Sequence, residues 1–287
     1  MRSFLVLSQG SLYERNCEMA ANISVLMGIY HCANTLPEAI DSILEQTYTD
    51  WELILCDDGS TDDTYAVADS YRRRFPEKIV LLKNERNMGL NYTLNRCLEQ
   101  AKGSYIARMD GDDVSLPQRF EKELAALQAE PEIAVVSCPM IHFDETGDYA
   151  KGRCSSEYPG AELLVHGPVH CHAPCMVRAE VMRSVGGYSV DKRLLRVEDW
   201  HLWLKIYAAG GRGKNLTEPL YKMRDDRQAA SRRKFRYRLN EAHVAAMAVK
   251  ELGLPKWKYV FVLRPILVGL LPGPVYRYLH RKKIKAN

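Results

Sequence analysis

The chain has 287 residues, of which 46% are hydrophobic, enough to build a full core in one large domain or one and a half. Its formal net charge of +4 is too small to indicate a nucleic-acid-binding protein. The sequence contains no run of about 18 or more apolar residues, so no transmembrane helix is predicted. The composition therefore excludes disordered and fibrous proteins, and eight irregularly spaced cysteines favour reduced thiols in the cytoplasm.

The hydrophobic pattern divides the chain into three parts. Residues 1–21 show neither a regular period nor a signal-peptide core, so we expect a disordered N-terminal extension. Residues 22–235 alternate apolar segments with polar loops and form the main domain. Residues 236–287 contain an alanine-rich helix at 240–252 that we expect to pack on this domain, followed by an apolar and basic end.

Four strand–loop–helix units are predicted in the main domain. Their strands are predicted at 23–29, 51–56, 79–83 and 104–109. The first and fourth helices each begin at a predicted capping box, 35–38 and 115–118; the second runs from 60 or 61 to about 74, and the third from 88 to 101. This alternation predicts an α/β fold with a mostly parallel sheet covered by helices on both faces.

The fourth predicted strand ends in three carboxylates, Asp110, Asp112 and Asp113. This much negative charge at the end of a buried strand is costly unless a cation offsets it. Carboxylate oxygens suit a hard divalent ion, Mg²⁺ or Mn²⁺, which also binds phosphates. The alternative is a solvated turn, because Asp and Gly are common turn residues. The spacing alone supports the two interpretations equally.

Ligands of parallel α/β sheets bind beyond the carboxyl ends of the strands. The loops at 30–34, 57–60 and 110–113 therefore share one rim, and none of them carries a glycine-rich phosphate-binding motif. Tyr30 can stack on a nucleobase, and Asp58 can accept a hydrogen bond from a base N–H. The alternatives are a half-buried core position for Tyr30 and a turn or helix-capping role for Asp58.

A second acidic pair, Glu198 and Asp199, begins the apolar sequence 200–207, which predicts a buried helix. Both acids would lie in the first helical turn, where the helix dipole favours their ionised form. A carboxylate there is a candidate general base, provided that a partly apolar pocket keeps it basic. The alternative is that the two acids only cap the helix.

An ordered series of motifs resembles the inverting glycosyltransferases of family 2, which have the GT-A fold. The resemblance covers roughly residues 22 to 224, and a series in the family's order is more specific than any single match. The matching segments are 23–30, 53–62, 87–90, 109–113, 172–174, 185–188 and 197–203.

This resemblance implies which residues bind the donor. Tyr30 and Asp58 would hold the nucleobase of a nucleotide sugar, and Asn87 would belong to the same site. The chain departs from the family after its first strand, where His31 and Cys32 stand. Where many relatives have Tyr-Arg-x-His, this chain has Tyr-Lys-Met-Arg at 221–224, and Arg224 would face the phosphates.

The resemblance also implies the catalytic residues. Asp110 would contact the ribose or the metal, and Asp112 would be the direct metal ligand on the pyrophosphate. Asp199 would be the catalytic base, and Glu198 would position the acceptor or a neighbouring group.

The implied reaction is a metal-dependent, inverting single displacement. A sugar would move from a UDP-sugar to a hydroxyl of a glycan or a lipid-linked oligosaccharide at the inner face of a membrane. One alternative is a nucleotidyltransferase that makes the sugar nucleotide, although such enzymes typically need a glycine-rich basic loop after the first strand. Another is a non-catalytic binding subunit, which would not require Asp199.

Two basic segments lie near the C-terminus. The segment 222–238 contains eight Lys or Arg residues and predicts either a solvated helix face or a phosphate site. The segment 257–287 joins apolar and aromatic residues to a cluster of five positive charges, which suits peripheral binding at the interface of an anionic membrane. The alternatives are a hairpin docked on the domain and a dimer contact.

Overall fold

The computed structural model describes residues 22–152, 154, 156–224 and 235–271. The predicted extension at 1–21, the middle of the basic segment and the tail from 272 onward lie outside the described residues. Within these ranges, no helix has both the length and the apolar character needed to cross a bilayer. The seven cysteines in the same ranges form no disulfide with one another.

Eleven strands form two sheets in the described part of the chain. The strands are β1 Ile23–Ile29, β2 Trp51–Asp57, β3 Ile79–Lys83, β4 Tyr105–Arg108, β5 Val114–Ser115, β6 Ile133–Ser137, β7 Met140–Asp144, β8 Gly147–Lys151, β9 Met176–Arg178, β10 Arg212–Asn215 and β11 Tyr221–Arg224. The main sheet has seven strands in the order β10-β6-β9-β4-β1-β2-β3, and only β9 is antiparallel to its neighbours. The predicted mostly parallel sheet is confirmed.

Helices cover both faces of this sheet. They are α1 Leu36–Leu44, α2 Thr64–Arg74, α3 Leu90–Gln100, α4 Arg119–Ala129, α5 Ala179–Ser184, α6 Glu198–Ala208, α7 Phe235–Glu251 and α8 Leu263–Gly269, with 3₁₀ helices at Ala161–Val165, Lys192–Leu194 and Lys256–Val262. One core cluster joins the sheet to α1, α2 and α4, and the other joins it to α3, α5, α6 and α7. Central strands buried on both faces read as continuous apolar runs, which is why β1 and β2 were predictable.

The two predicted capping boxes are wrong. Thr35 precedes α1 but makes no side-chain capping bond, and its hydroxyl donates to the carbonyl oxygen of Gly111 at 3.1 Å. Ser115 belongs to β5, and α4 begins only at Arg119. In both cases a contact distant in the sequence replaces the local cap. The Thr35 contact ties α1 to the acidic loop.

The second sheet was not predicted. Its four strands have the order β5-β11-β7-β8, and β11 pairs antiparallel with β5 and parallel with β7. The two-residue strand β5 directly follows the acidic loop. This sheet therefore fixes one side of the loop that carries Asp110, Asp112 and Asp113.

Helix α7 confirms the prediction of a helix at 240–252 that packs on the domain. Its residues Val244, Ala245 and Ala248 are fully buried in the same core cluster as α6. The helix begins at Phe235, five residues earlier than predicted. Its first turns lie beside the carboxyl ends of the strands, because Asn240 Nδ2 donates to the carbonyl oxygen of Leu195 at 2.9 Å.

Candidate active site

The acidic loop begins where β4 ends at Arg108. Arg108 is buried, and its guanidinium forms a bidentate ion pair with Asp110, at 2.8 and 2.5 Å. The backbone N–H of Asp110 donates to the hydroxyl of Tyr221 on β11, at 3.2 Å. Asp110 therefore has a fixed position with a positive charge beneath it. Sequence reasoning missed Arg108, although a single charge inside an apolar strand was a visible signal.

The other two carboxylates of the loop differ in exposure. Asp112 is exposed, and its carbonyl oxygen accepts from Arg224 Nε at 2.9 Å. Asp113 is buried, and its Oδ1 accepts from the backbone N–H of Arg224 at 2.8 Å. Burial and the carboxylates of Asp110 and Asp112 raise the pKa of Asp113 to about 8. The loop thus concentrates negative charge that a cation could offset.

The donor set suits a divalent cation that arrives with a diphosphate. No three Asp, Glu, His or Cys side chains converge as a ready metal site in the ranges that the structure describes. Mg²⁺ is usually bound by one or two carboxylates, with substrate phosphates and water completing its coordination. Asp112 is exposed and free to serve, whereas Asp110 already binds Arg108 with both oxygens and has only its remaining lone pairs to offer.

A cavity of about 300 Å³ opens at the carboxyl end of β1, and none of the three carboxylates of the acidic loop lines it. Tyr30, Asp58, Asn87 and Glu198, all predicted site residues, line it together. Arg196 also lines it, and its φ of 67° places a non-glycine residue in the left-handed region. Four predicted residues from distant parts of the chain thus face one space.

Asp58 is buried and organises the next loop. Its Oδ1 accepts from Asn84 Nδ2 at 2.7 Å and from the backbone of Met88 at 2.8 Å, and its Oδ2 accepts from the backbone of Gly89 at 2.9 Å. These bonds hold the segment that carries Asn87. Gly59 has a φ of 74°, and a Cβ there would lie 2.6 Å from the backbone of Arg86, so the turn requires glycine.

Tyr30 lies at the rim of the cavity. It is 45% exposed, so it is not a core residue, and its ring stacks on His31 at 3.9 Å between centroids. His31 has a φ of 49°, its backbone N–H donates to Ser60 Oγ at 3.1 Å, and its Nε2 accepts from the backbone N–H of Thr61 at 3.2 Å. The residue that departs from the family pattern therefore orients the aromatic ring.

Asp199 lies in the first turn of α6, as predicted. Its Oδ1 accepts from the backbone N–H of Trp200 at 2.7 Å, and the Trp200 indole donates to the carbonyl oxygen of Leu164 at 2.7 Å. Burial and the neighbouring Glu198 raise the pKa of Asp199 to about 6. Desolvation thus raises the pKa of Asp199 more than the helix N-terminus lowers it. The carboxylate is therefore basic enough to accept a proton near neutral pH.

The acidic loop and Asp199 share one electrostatic environment. Arg108 interacts with the charges of Asp110, Asp112 and Asp199. The Nε2 atom of His172 shares a hydrogen bond with the Tyr188 hydroxyl at 2.8 Å. Burial and the charge of Arg108 lower the pKa of His172 well below its ordinary value. Because His172 is neutral, Arg108 is the positive charge here that acts on both the acidic loop and Asp199.

Arg224 supports the acidic loop from the other side. Its guanidinium pairs with Glu38 on α1 and lies over the ring of Phe143, at 4.4 Å from the centroid. Arg224 also donates to the carbonyl oxygen of Asp112. Together these contacts join α1, β7 and β11 around the loop. To contact a phosphate as predicted, the guanidinium would have to bind it in addition to these partners. The contacts of Arg224 therefore favour a role in positioning the acidic loop.

The sequence profile described as glycosyl transferase family 2 matches residues 24–186. The chain belongs to this family. It is 41% identical to the glycosyltransferase EpsE of Bacillus subtilis over 91% of this chain and 94% of that protein. It is 30% identical to a UDP-Gal:α-D-GlcNAc-diphosphoundecaprenol β-1,3-galactosyltransferase of Escherichia coli over 91% of this chain and 96% of that enzyme.

Solved structures share the GT-A fold of this glycosyltransferase. Staphylococcus aureus TarS in complex with UDP superposes with a TM-score of 0.66 at 16% identity, over 86% of this chain and 70% of that one. A mannosyltransferase of Pyrobaculum calidifontis in complex with GDP-Man and Mn²⁺ superposes with a TM-score of 0.61 at 17% identity. The match covers 93% of this chain and 81% of that one. The family, the fold and the enzyme class predicted from the sequence are confirmed, which sets aside the nucleotidyltransferase and the non-catalytic binder.

Proposed function

We propose that this glycosyltransferase inverts the anomeric centre of a nucleotide sugar, a UDP-sugar, in a metal-dependent single displacement. The observation that carries the proposal is that the charge of Arg108 acts both on the acidic loop, through its ion pair with Asp110, and on Asp199, whose pKa is raised to about 6. In this proposal Asp199 is the proton acceptor and the acidic loop is the phosphate-binding end, and both act on one bound donor. These are the two requirements of sugar transfer from a nucleoside diphosphate.

The acidic loop receives the leaving group in this proposal. Asp112 would bind a divalent cation directly, and Asp110 would contact it or the ribose. The bound ion supplies Lewis-acid stabilisation of the negative charge that grows on the diphosphate. The Mn²⁺ and GDP-Man in the mannosyltransferase complex motivate this assignment.

In this proposal, the cavity at the carboxyl end of β1 receives the nucleoside. Tyr30, exposed at its rim, would stack on the base, and the remaining acceptor capacity of Asp58 would bind a base N–H. Asn87, held at the rim by the bonds of Asp58, would complete this side. Arg224 would keep the acidic loop in position and meet the phosphates from β11.

Asp199 accepts the proton of the acceptor hydroxyl as that oxygen attacks the anomeric carbon. The electron pair of the departing C–O bond moves to the diphosphate, so one displacement inverts the centre and no covalent glycosyl-enzyme forms. Glu198, which lines the cavity beside Asp199, would position the acceptor. We further propose a lipid-linked acceptor at a membrane surface, because the galactosyltransferase relative acts on a diphosphoundecaprenol-linked sugar.

A panel of donors tests the proposed function. Each nucleotide sugar is incubated with the full chain, with and without Mg²⁺ or Mn²⁺, and release of nucleoside diphosphate is measured with a diphosphoundecaprenol-linked sugar or water as acceptor. We expect release from one or two UDP-sugars, dependent on the metal. Product of unchanged anomeric configuration, or equal release after chelation, would contradict the proposal.

The pH dependence of kcat provides a second test. Asp199 acts when ionised, and its pKa is about 6. We therefore expect kcat to fall about tenfold for each pH unit below 6 and to level off above about 7. Measuring KM for the donor in the same series separates this loss from weaker binding. A kcat that stays level down to about pH 5 would count against Asp199 as the base.

A further inference from the structure

The last helical segment of the described chain has an exposed apolar face. The 3₁₀ helix at Lys256–Val262 and α8 contain no buried residue. Five apolar side chains in or next to them are more than half exposed: Trp257, Val260, Leu263, Leu267 and Leu270, at 64, 57, 53, 62 and 68%. Spacings of three and four residues put them on one side, which we call the docking face. Soluble monomers rarely expose such contiguous patches without a partner.

Other residues of the same segment anchor it to the catalytic domain. Phe261 meets His166 edge-on, with 4.3 Å between ring centroids, and Val262 packs against the core cluster that contains α6 and α7. Arg264 donates to the carbonyl oxygen of His166 at 3.5 Å. The docking face is therefore the outer surface of a packed element, and its direction is fixed.

The docking face extends to the mouth of the active-site cavity. A Cβ on Gly269 of α8 would lie 3.0 Å from the ring of Phe235, so the end of α8 touches the start of α7. Phe235 and Leu239 in this first part of α7 are 45 and 47% exposed. Between them, Tyr237 lines the cavity together with Leu195, itself 43% exposed. The end of α8 therefore contacts the helical turn whose Tyr237 lines the cavity.

The charged residues of the described segment 253–271, which carries the docking face, are all positive. From Gly253 to Asn287 the sequence contains eight Lys or Arg residues and no Asp or Glu. Among them, Lys256, Lys258 and Arg264 belong to the segment that carries the face. An anionic lipid surface complements apolar side chains that are bordered by cations. A second copy of this chain would instead bring like charges together across a twofold axis.

We propose that the docking face binds the interfacial region of an anionic bilayer. Its side chains enter the boundary between headgroups and acyl chains, and the bordering cations contact anionic headgroups. The purpose of this binding rests on the proposed function, because the cavity mouth would then face the leaflet that holds a lipid-linked acceptor. Binding to vesicles, however, requires no turnover, so the two proposals fail independently.

Sedimentation with vesicles tests the docking face. The full chain is mixed with vesicles of phosphatidylcholine containing about one third phosphatidylglycerol, and with neutral phosphatidylcholine vesicles. We expect binding to the anionic vesicles and at least about tenfold weaker binding to the neutral ones. The double variant Val260→Glu, Leu267→Glu should lose about tenfold or more of its anionic-vesicle partitioning. The matched control, Val190→Glu, changes a residue that is 61% exposed outside the face and should partition like the unchanged protein.

Two further measurements keep the result specific. Thermal unfolding of the double variant should match that of the unchanged protein, because both side chains are exposed. Release of nucleoside diphosphate with a short, soluble acceptor should also be unchanged. Equal vesicle partitioning of the double variant and the unchanged protein overturns the inference. So does a change of oligomeric state in sedimentation velocity without a change in vesicle binding, which would make the face a contact between copies.

Discussion

Replacing Asp199 with Asn should lower kcat by about 10²- to 10⁴-fold, the usual contribution of a positioned general base. Asparagine keeps the shape of the side chain, and its carbonyl oxygen can still accept from the backbone N–H of Trp200, so α6 should begin as before. What the variant loses is the proton acceptor whose pKa burial raises to about 6. The measurement is steady-state release of nucleoside diphosphate at saturating donor and acceptor.

The donor dissociation constant separates this role from a structural one. We expect it to stay within about threefold of that of the unchanged enzyme, because the lost interaction belongs to the transition state. Asp191→Asn is the matched control: it removes one carboxylate seven residues from the start of α6, in an exposed ion pair with Arg193, and should leave kcat unchanged. If the Asp199→Asn enzyme retains more than about a tenth of kcat, another group is the base.

The sequence predicted those parts of the fold that local pattern determines. β1 and β3 have the predicted bounds, and α6 begins at Glu198 as predicted, because a buried strand or helix repeats its apolar period within a few residues. The second sheet depends on contacts that no local pattern contains. β11 supplies the backbone N–H of Arg224 to Asp113, 111 positions away in the sequence.

The same distinction applies to the site. Asp58 was placed at the rim because strand ends meet there, and Asn87 was implied only by the family resemblance. The bonds by which Asp58 holds the loop of Asn87 needed the three-dimensional contacts. Arg108 shows the limit most clearly. Its chain neighbours predict only a strand, whereas its ion pair with Asp110 and its electrostatic effect on Asp199 arise from packing.

Replacing Asp112 with Asn should abolish metal-dependent turnover, with a loss of about 10³-fold or more at saturating metal. Asp112 is the exposed carboxylate of the acidic loop, so the change removes a charge without disturbing the ion pair of Asp110 with Arg108. The more direct measurement is calorimetric binding of UDP with and without Mn²⁺. The unchanged enzyme should bind UDP more tightly with Mn²⁺, and the variant should bind it equally in both conditions.

The control for this experiment is Asp148→Asn, which removes one negative charge from β8 in an exposed pair with Lys222. It should keep both the turnover and the effect of Mn²⁺ on UDP binding, because general electrostatic attraction between partly exposed groups is weak and screened. If Asp112→Asn binds UDP as the unchanged enzyme does in both conditions, Asp112 is not the metal ligand. Asp113 would not replace it, because that carboxylate is buried and its Oδ1 already accepts from the backbone of β11. The remaining lone pairs of Asp110 would then have to bind the cation.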